Sequence, residues 1–187
     1  MTAQTAYDKF MAQALKYGFS LFGTVKTGQV TSYRTGDDGA LEKGYPKTGA
    51  RFTDNGDGTI TDNATGLMWV KQPENIGGIW ADAGQPERMS WNDAIDNCLA
   101  LDYAGHDDWR LPNARELCSI VSLGTANPSI DGTFFPNTKA YSYWTSSTVE
   151  TSVSNKWRIL FTFGLTFYNH LDEEYYARPV RLGIPSD

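Results

Sequence analysis

The chain has 187 residues, of which 40% are hydrophobic and 13% aromatic, and its formal net charge is -6 at neutral pH. This length and apolar content support one folded domain with a short appendage. The acidic balance argues against a nucleic-acid partner, because affinity for a phosphate backbone depends on a basic surface. No apolar run approaches the roughly 20 residues that span a bilayer, which argues against membrane insertion.

Residues 4–16 are predicted to form an amphipathic helix. Its apolar residues follow helical spacing, and they are Tyr7, Phe10, Met11, Ala14 and Leu15. A helix this short must bury its apolar stripe, either on a partner subunit or larger assembly or on its own domain. We therefore divide the chain into a docking or oligomerisation helix at 1–25 and a binding domain at 26–187.

Residues 51–70 are predicted to form a β-meander. Gly-rich turn sequences at 55–58 (NGDG) and 63–66 (NATG) separate three short apolar-containing stretches. The preceding residues 26–50 carry spaced apolar residues among Gly, Thr and Asp. They are predicted to form an ordered loop or a pair of short strands.

Three aspartates, Asp54, Asp57 and Asp62, cluster around these turns. Their spacing departs from the calcium-loop pattern, because Gly56 occupies the third position. Turn chemistry also accounts for them, since Asn, Asp and Gly tolerate left-handed backbone. We predict no cofactor, and a structural calcium ion near the three aspartates is the alternative.

Two helices are predicted in the middle of the chain, at 91–101 and 113–123. Ser90 is suited to be the N-cap of the first. Each helix carries one cysteine, Cys98 in the first and Cys118 in the second. A disulfide between them is geometrically feasible, and two buried free thiols are the simpler alternative.

The stretch 107–117 (DDWRLPNAREL) leads into the second helix. Trp109 and Leu111 are predicted to anchor it, and Pro112 suits a first helical turn because its φ is already near the helical value. Arg110 has no obvious partner nearby in sequence. Its guanidinium is expected either to pair with a distant carboxylate or to reach the surface.

The last third of the chain is predicted to form strands at 143–147, 156–163, 165–168 and 175–181, after a loop anchored at 134–136. The second strand alternates in polarity. One face would hold Trp157, Ile159, Phe161 and Phe163, and the other Lys156, Arg158, Leu160 and Thr162. A turn is predicted at Gly164, and Pro179 indicates an edge strand or a bulge.

Several motifs recur in a fixed order along the chain. They are 58–62 (GTITD), 65–69 (TGLMW), Trp91 with Ala94 and Cys98, 108–113 (DWRLPN) with Glu116 and Leu117, 143–147 (YWTSS), and 178–181 (RPVR). Together they resemble the Legionella collagen-like protein C-terminal domain family over roughly residues 26–183. Residues 27–39 are similar to a lead-in seen in that family.

The resemblance implies an α+β, C-type-lectin-like fold with small twisted antiparallel sheets, two helices and long ordered loops. Members of the family are surface adhesins that bind glycans, often as trimers, and similar folds carry receptor-binding surfaces on phage tails. This chain departs from the prototype because it is acidic and lacks a collagen-like stalk. It also lacks a recognisable secretory signal. The resemblance implies a homo-oligomer, most simply a trimer. The missing signal and the predicted docking helix favour a virion surface over a secreted adhesin, so we expect a virion-surface or extracellular protein.

The resemblance also implies a relation in fold to formylglycine-generating enzymes. That type of enzyme requires a reactive thiol pair late in the chain, and no cysteine follows Cys118. We therefore predict a recognition module that is not an enzyme and has no catalytic residues. A purely structural virion decoration protein is an alternative that the sequence does not separate from receptor binding.

The resemblance directs ligand recognition to the sheet and loops of the last third. The predicted ligand-binding residues are Arg158, Leu160, Thr162, Thr166, Tyr168, Asn169 and His170. Tyrosine, asparagine and arginine are typical of adaptable recognition surfaces. The alternative assigns Leu160, Tyr168 and Tyr175 to the core.

Overall fold

The computed structural model describes residues 25–44 and 51–183. The helix predicted at 4–16 lies outside these residues. The described part of the chain is an α+β domain. Its helices are α1 (Asp38–Leu41), α2 (Trp91–Leu99) and α3 (Ala114–Ser119). Its strands are β1 (Phe52–Asp54), β2 (Thr59–Asp62), β3 (Leu67–Val70), β4 (Ala81–Asp82), β5 (Gln85–Pro86), β6 (Ser142–Val149), β7 (Ser152–Leu160), β8 (Leu165–His170) and β9 (Val180–Leu182).

The meander predicted for 51–70 is confirmed. Strands β1, β2 and β3 pair in succession, and β9 joins the other side of β3, so that all pairs in this sheet are antiparallel. Of the last strand predicted at 175–181, only residues 180 and 181 lie in a regular strand, β9. Tyr175 and Tyr176 instead make isolated bridges to Met89 and Tyr143. Pro179 precedes an edge strand, as predicted.

Residues 26–44 form a loop with one helical turn, α1, rather than a pair of strands. Asp37 is the N-cap of α1, and its side chain accepts a hydrogen bond from the backbone N–H of Ala40. The prediction of an ordered loop is therefore correct for these residues, and the alternative of two strands is wrong. Short hydrogen-bonding side chains favour such local caps over sheet pairing.

Ser90 is the N-cap of α2, as predicted, and accepts a hydrogen bond from the N–H of Asp93. The second helix ends earlier than predicted. It stops at Ser119, because Val121 leaves the helical path and pairs with Ile130. A sheet-like bridge to a distant residue replaces the last predicted turn of helix, which is a tertiary effect that local propensity does not contain.

Strands β6, β7 and β8 form a second antiparallel sheet, in which β7 is central. The predicted strand at 156–163 starts earlier and ends at Leu160. Its chain then turns, and the N–H of Gly164 donates to the carbonyl of Leu160 at 2.8 Å. Ile159 and Phe161 are buried as predicted, whereas Phe163 is exposed because it lies in this turn. The long loop before α2 also contains two 3-10 turns, Pro73–Ile76 and Gly78–Trp80, and the small β4–β5 hairpin.

The core has two apolar clusters. One contains Trp69, Phe135 and Ile159, with Leu117 of α3 packed against them. The other contains Trp80, Cys98, Trp109 and Trp144, and it lies around α2. Strand β6 contributes to both clusters, so it joins the two halves of the domain. Phe135 meets the Phe52 ring edge-on at a centroid distance of 5.2 Å, which confirms the predicted anchor at 134–136.

Candidate ligand-binding site

The β7–β8 register assigns the predicted recognition residues to the two faces of the second sheet. Trp157 pairs with Tyr168 and Ile159 pairs with Thr166, so these four side chains share one face, which we call the groove face. Arg158 pairs with Phe167, and this pair belongs to the opposite face, which we call the arginine face.

The structure does not bring the seven predicted residues onto one surface. The groove face carries Thr166, Tyr168 and His170, and the arginine face carries Arg158, Leu160 and Asn169. Thr162 lies in the turn beyond β7, where its hydroxyl donates to the carbonyl of Ala140 at 2.7 Å. Of the residues that the alternative assigned to the core, Tyr168 is exposed, Leu160 is half-buried and Tyr175 is buried.

An open groove of about 440 Å³ crosses the groove face beside the start of α3. It is lined by Asn113, Ala114, Arg115, Ser147, Thr148, Trp157 and Thr166. At its edge the Tyr168 ring, 54% exposed, meets the Trp157 ring edge-on at a centroid distance of 5.5 Å. Hydroxyl and amide groups therefore lie beside an aromatic pair in which Tyr168 is exposed and Trp157 is half-buried, and no acidic residue is in the lining.

A capping box fixes the α3 side of the groove. The Asn113 side chain accepts from the backbone N–H groups of Arg115 and Glu116, and the Glu116 carboxylate accepts from the N–H of Asn113. The N–H of Ala114 donates to Ser147 Oγ of β6 at 3.1 Å. These bonds hold the first turn of α3 against the sheet.

The structure gives Arg110 a partner that was not expected from the sequence. This partner is Glu116, which is close in sequence, and not a distant carboxylate. The two terminal nitrogens of Arg110 donate to the two oxygens of Glu116 at 2.7 and 2.6 Å. Burial acts to raise the pKa of Glu116, but the hydrogen bonds from Arg110 and from the N–H of Asn113 outweigh it and leave that pKa below its usual value. The helical turn brings the two side chains together, although they are six residues apart.

Arg158 lies in a packed network on the arginine face, although Leu165 and Phe167 at the β8 edge of that face are exposed. Arg158 Nε donates to Asn169 Oδ1 at 2.8 Å, and its Nη1 donates to Ser142 Oγ. The guanidinium also lies 4.9 Å from the centroid of Tyr175 and 5.2 Å from that of Phe167. These contacts orient Arg158 as part of the fold.

Sequence reasoning missed the groove for two reasons. Alternation with Ile159 and Phe161 predicts that Trp157 faces the core, yet Trp157 belongs to neither core cluster and lines the groove half-buried. Residues 113–115 were interpreted only as a helix start. Periodicity alone does not give the sheet register, in which Trp157 pairs with Tyr168 across a hairpin whose turn is centred between Thr162 and Phe163.

Alternation along β7 predicts that the Lys156 side chain is exposed to solvent, and this prediction is wrong. The side chain is buried, with Nζ 4.0 Å from the centroid of the Trp91 ring and 3.1 Å from Thr148 Oγ1. The ring and the hydroxyl compensate for the loss of water around the ammonium group. This lysine fastens the start of α2 to β7.

The three aspartates of the meander are each bonded to protein donors. Asp54 pairs with Lys71 at 2.6 Å, and Asp57 accepts from the N–H of Thr59 at 2.9 Å. Asp62 pairs with buried Arg51. Within 25–44 and 51–183, no group of three His, Cys, Asp or Glu residues is arranged to hold a metal ion. The prediction of no cofactor and its alternative, a structural calcium ion at this turn, both stay untested.

The two cysteines are free and differ in environment. Cys98 is buried in α2, and burial raises the pKa of its thiol. Cys118 is exposed on α3. The expectation of two buried thiols is therefore wrong for Cys118, because the stripe of α3 that faces the core contains Leu117 instead.

The described structure thus defines a class: an α+β domain with two larger antiparallel sheets, a small two-stranded hairpin, and an aromatic groove at the junction of a sheet and a helix. The model of the Lcl C-terminal domain family matches residues 58–181. The chain belongs to the Lcl C-terminal domain family, and the resemblance drawn from its motifs is confirmed. This membership is compatible with a surface or recognition module. A search of curated proteins finds no match. None of the helices in the described ranges is long and apolar enough to cross a membrane.

Proposed function

We propose that this chain is a non-enzymatic recognition module with a C-type-lectin-like fold that binds a cell-surface glycan or protein. Its setting would be a phage virion or tail, or a bacterial surface on which it acts as an adhesin. The domain would work as a homo-oligomer, for which the family resemblance implies a trimer. The N-terminal segment at 1–25 would dock it on a larger assembly.

The observation that carries this proposal is the Trp157–Tyr168 pair beside a polar groove. Sugar rings present apolar C–H faces that stack on aromatic rings, and their hydroxyls need donors and acceptors nearby. Ser147, Thr148 and Thr166 offer hydroxyl groups next to the aromatic pair. We therefore assign the ligand to the groove face rather than to all seven residues predicted from sequence.

A glycan array probed with the full chain tests the proposal, and the bound glycan is then titrated against variants. Trp157→Ala and Tyr168→Ala remove the stacking surface, and we expect each to weaken binding by about tenfold or more, equivalent to about 1.4 kcal/mol. Tyr33→Ala is the matched control, because Tyr33 is an exposed tyrosine outside the groove lining.

Equal losses in all three variants, or none in the two groove variants, would contradict the assignment. A chain that binds no glycan or host-surface protein, yet assembles normally, would favour the structural decoration alternative. Mass measurement by light scattering on the same sample tests the trimer independently of binding.

A further inference from the structure

A second open cavity, of about 490 Å³, lies along the chain segment that follows β8. It is lined by two tyrosines, an arginine, a histidine and the three consecutive acidic residues at 172–174. None of these residues lines the groove, and the groove lining contains no acidic residue. The two cavities therefore differ in charge and suit ligands of different chemistry.

The acidic residues are presented on a turn that the fold holds in place. The N–H of Glu173 donates to the carbonyl of His170 at 3.1 Å, which closes the turn. The N–H of Leu171 donates to the carbonyl of Ser154 at 2.9 Å, and the carbonyl of Leu171 accepts from the N–H of Trp91 at 3.0 Å. These bonds tie the turn to β7 and α2, so the carboxylates project from a fixed backbone.

Two of the three carboxylates have no protein partner. Asp172 pairs with His170 Nδ1 at 3.2 Å. Within 25–44 and 51–183, the carboxylates of Glu173 and Glu174 form no hydrogen bond or ion pair, and both residues are exposed. The arginine of the lining lies instead over a tyrosine ring of the same cavity, 5.8 Å from its centroid. The cavity thus keeps a negative charge that favours a cation.

Tyr175 is a second and independent sign of a ligand. It is only 7% exposed, and its ring is fixed by the edge-on Trp144 ring at a centroid distance of 4.7 Å and by the Arg158 guanidinium at 4.9 Å. Its N–H and its carbonyl both bond to the backbone of Met89.

The Tyr175 hydroxyl, in contrast, has no hydrogen-bond partner among the described residues. The protein does not fully enclose this atom, and it opens to the cavity that the residue lines. Burial raises the pKa of Tyr175, so the hydroxyl stays protonated and can both donate and accept. Polar groups of buried side chains are nearly always bonded, so a rigidly held hydroxyl without a partner is positioned to bond to a ligand.

From these features we infer that the cavity is a second ligand site, and that it takes a sugar with a free, positively charged amino group. The carboxylates of Glu173 and Glu174 bind the ammonium group through charge-assisted hydrogen bonds. The Tyr141 ring, which is 43% exposed, stacks on the sugar ring, and the Tyr175 hydroxyl bonds to a sugar hydroxyl. A cavity of this volume is within the range of small-molecule sites.

Other ligand classes fit the cavity less well. The unpaired carboxylates disfavour an anion. No group of three His, Cys, Asp or Glu residues in the described part of the chain is arranged to hold a metal ion. A simple amine would use the carboxylates but leave the exposed ring and the tyrosine hydroxyl without a role. The inference is independent of the proposed function, because that function is assigned to the groove.

Binding of two matched sugars to the full chain tests the charge requirement. Chitosan oligosaccharide carries free amino groups, and chitin oligosaccharide of the same length carries N-acetyl groups on the same rings. In mildly acidic buffer, where the amino groups are charged, we expect the chitosan form to bind about tenfold more tightly or better, because acetylation removes the charge. Isothermal titration calorimetry measures both affinities. Equal affinities, or no binding of the chitosan form, would overturn the inference.

Carboxamide variants locate the site. Glu173→Gln combined with Glu174→Gln removes two charges at exposed positions, and we expect binding of chitosan oligosaccharide to weaken by about tenfold or more. The matched control combines Asp102→Asn with Glu150→Gln, which removes the same charge from exposed positions outside the cavity lining. The control should bind as the unaltered chain does. A loss of the same size in the control would indicate general charge attraction and overturn the inference.

Tyr175→Phe removes the hydroxyl and keeps the ring in its packing. We expect an affinity loss of about threefold to tenfold, because one hydrogen bond to the sugar is missing. Trp157→Ala, which alters the groove, should leave chitosan binding unchanged. Unchanged affinity in Tyr175→Phe would contradict the inference. So would loss of the sugar in the groove variant while the paired glutamine variant still binds it, since the amino sugar would then belong to the groove.

Discussion

At the scale of single residues, buried charges decide much of this fold. Arg51 and Asp62 are both fully buried, and the carboxylate accepts from Arg51 Nε at 2.9 Å and also from its Nη2. Arg51 Nη1 further donates to the carbonyl of Ser119, at the end of α3. The pair thus connects β2 to the helix. Arg178 is also buried, and it donates to the carbonyls of Val70 and Lys71 while its guanidinium lies over Phe135.

Asp62→Ala should destabilise the domain strongly, because it leaves the Arg51 guanidinium buried without its counter-ion. We expect a loss of about 3–5 kcal/mol in the free energy of unfolding, measured by urea denaturation. Asp54→Ala is the control. Its pair with Lys71 is partly exposed, and we expect a loss of at most about 1 kcal/mol. Similar losses for both variants would show that the buried pair has no special role.

At the scale of elements, turns decide where strands end and how hairpins close. Gly164 closes the β7–β8 hairpin with φ +71, a left-handed value that glycine adopts without strain. It is also in close contact with its surroundings, because an added Cβ would lie 2.5 Å from Val121 Cγ1. Backbone conformation and packing therefore both require glycine at this position.

Gly164→Ala and Gly56→Ala separate these two requirements. Gly56 has a similar φ of +79, but nothing lies within 4 Å of an added Cβ there. We expect Gly56→Ala to cost about 1 kcal/mol from backbone strain alone. Gly164→Ala should cost a further 1–3 kcal/mol, roughly, from overpacking. Denaturant unfolding of both variants measures the difference, and equal costs would contradict the predicted steric contact.

At the scale of the whole molecule, carboxylates with lowered pKa values connect separate segments. The hydrogen bond from Arg181 of β9 lowers the pKa of Asp108, and that from Lys71 lowers the pKa of Asp54. Glu116 has a lowered pKa for the reasons given above. Each carboxylate stabilises the folded state when ionised. That contribution is present above its unfolded pKa and is lost as the pH falls through the lower folded value.

We therefore expect the free energy of unfolding to fall steeply below the ordinary glutamate value of 4.5. Glu116→Gln should lower stability at pH 7 and make the decline between about pH 5 and pH 3 shallower, since one titrating contribution is gone. Urea unfolding across this pH range measures both effects. Asp102→Asn, a change at an exposed loop carboxylate, is the control. An unchanged slope in Glu116→Gln would contradict the assigned role of Glu116.

The sequence by itself determined the family, the α+β class, the meander at 51–70, the two central helices and the hairpin about Gly164. These features depend on local chemistry, namely turn residues, caps and short-range periodicity. The family resemblance also predicted Thr166 and Tyr168 as recognition residues; the structure gives both as exposed, and their role in recognition stays a prediction.

Only the tertiary structure decided which residues meet. Trp157 lines the groove beside the start of α3 and belongs to neither core cluster. Lys156 is buried because Trp91 covers it, and α3 ends at Ser119 because Val121 pairs with Ile130. Periodicity assigns a side chain to a face, but it does not say whether that face is covered. The covering elements come from distant parts of the chain, so exposure and the location of the site depend on long-range packing.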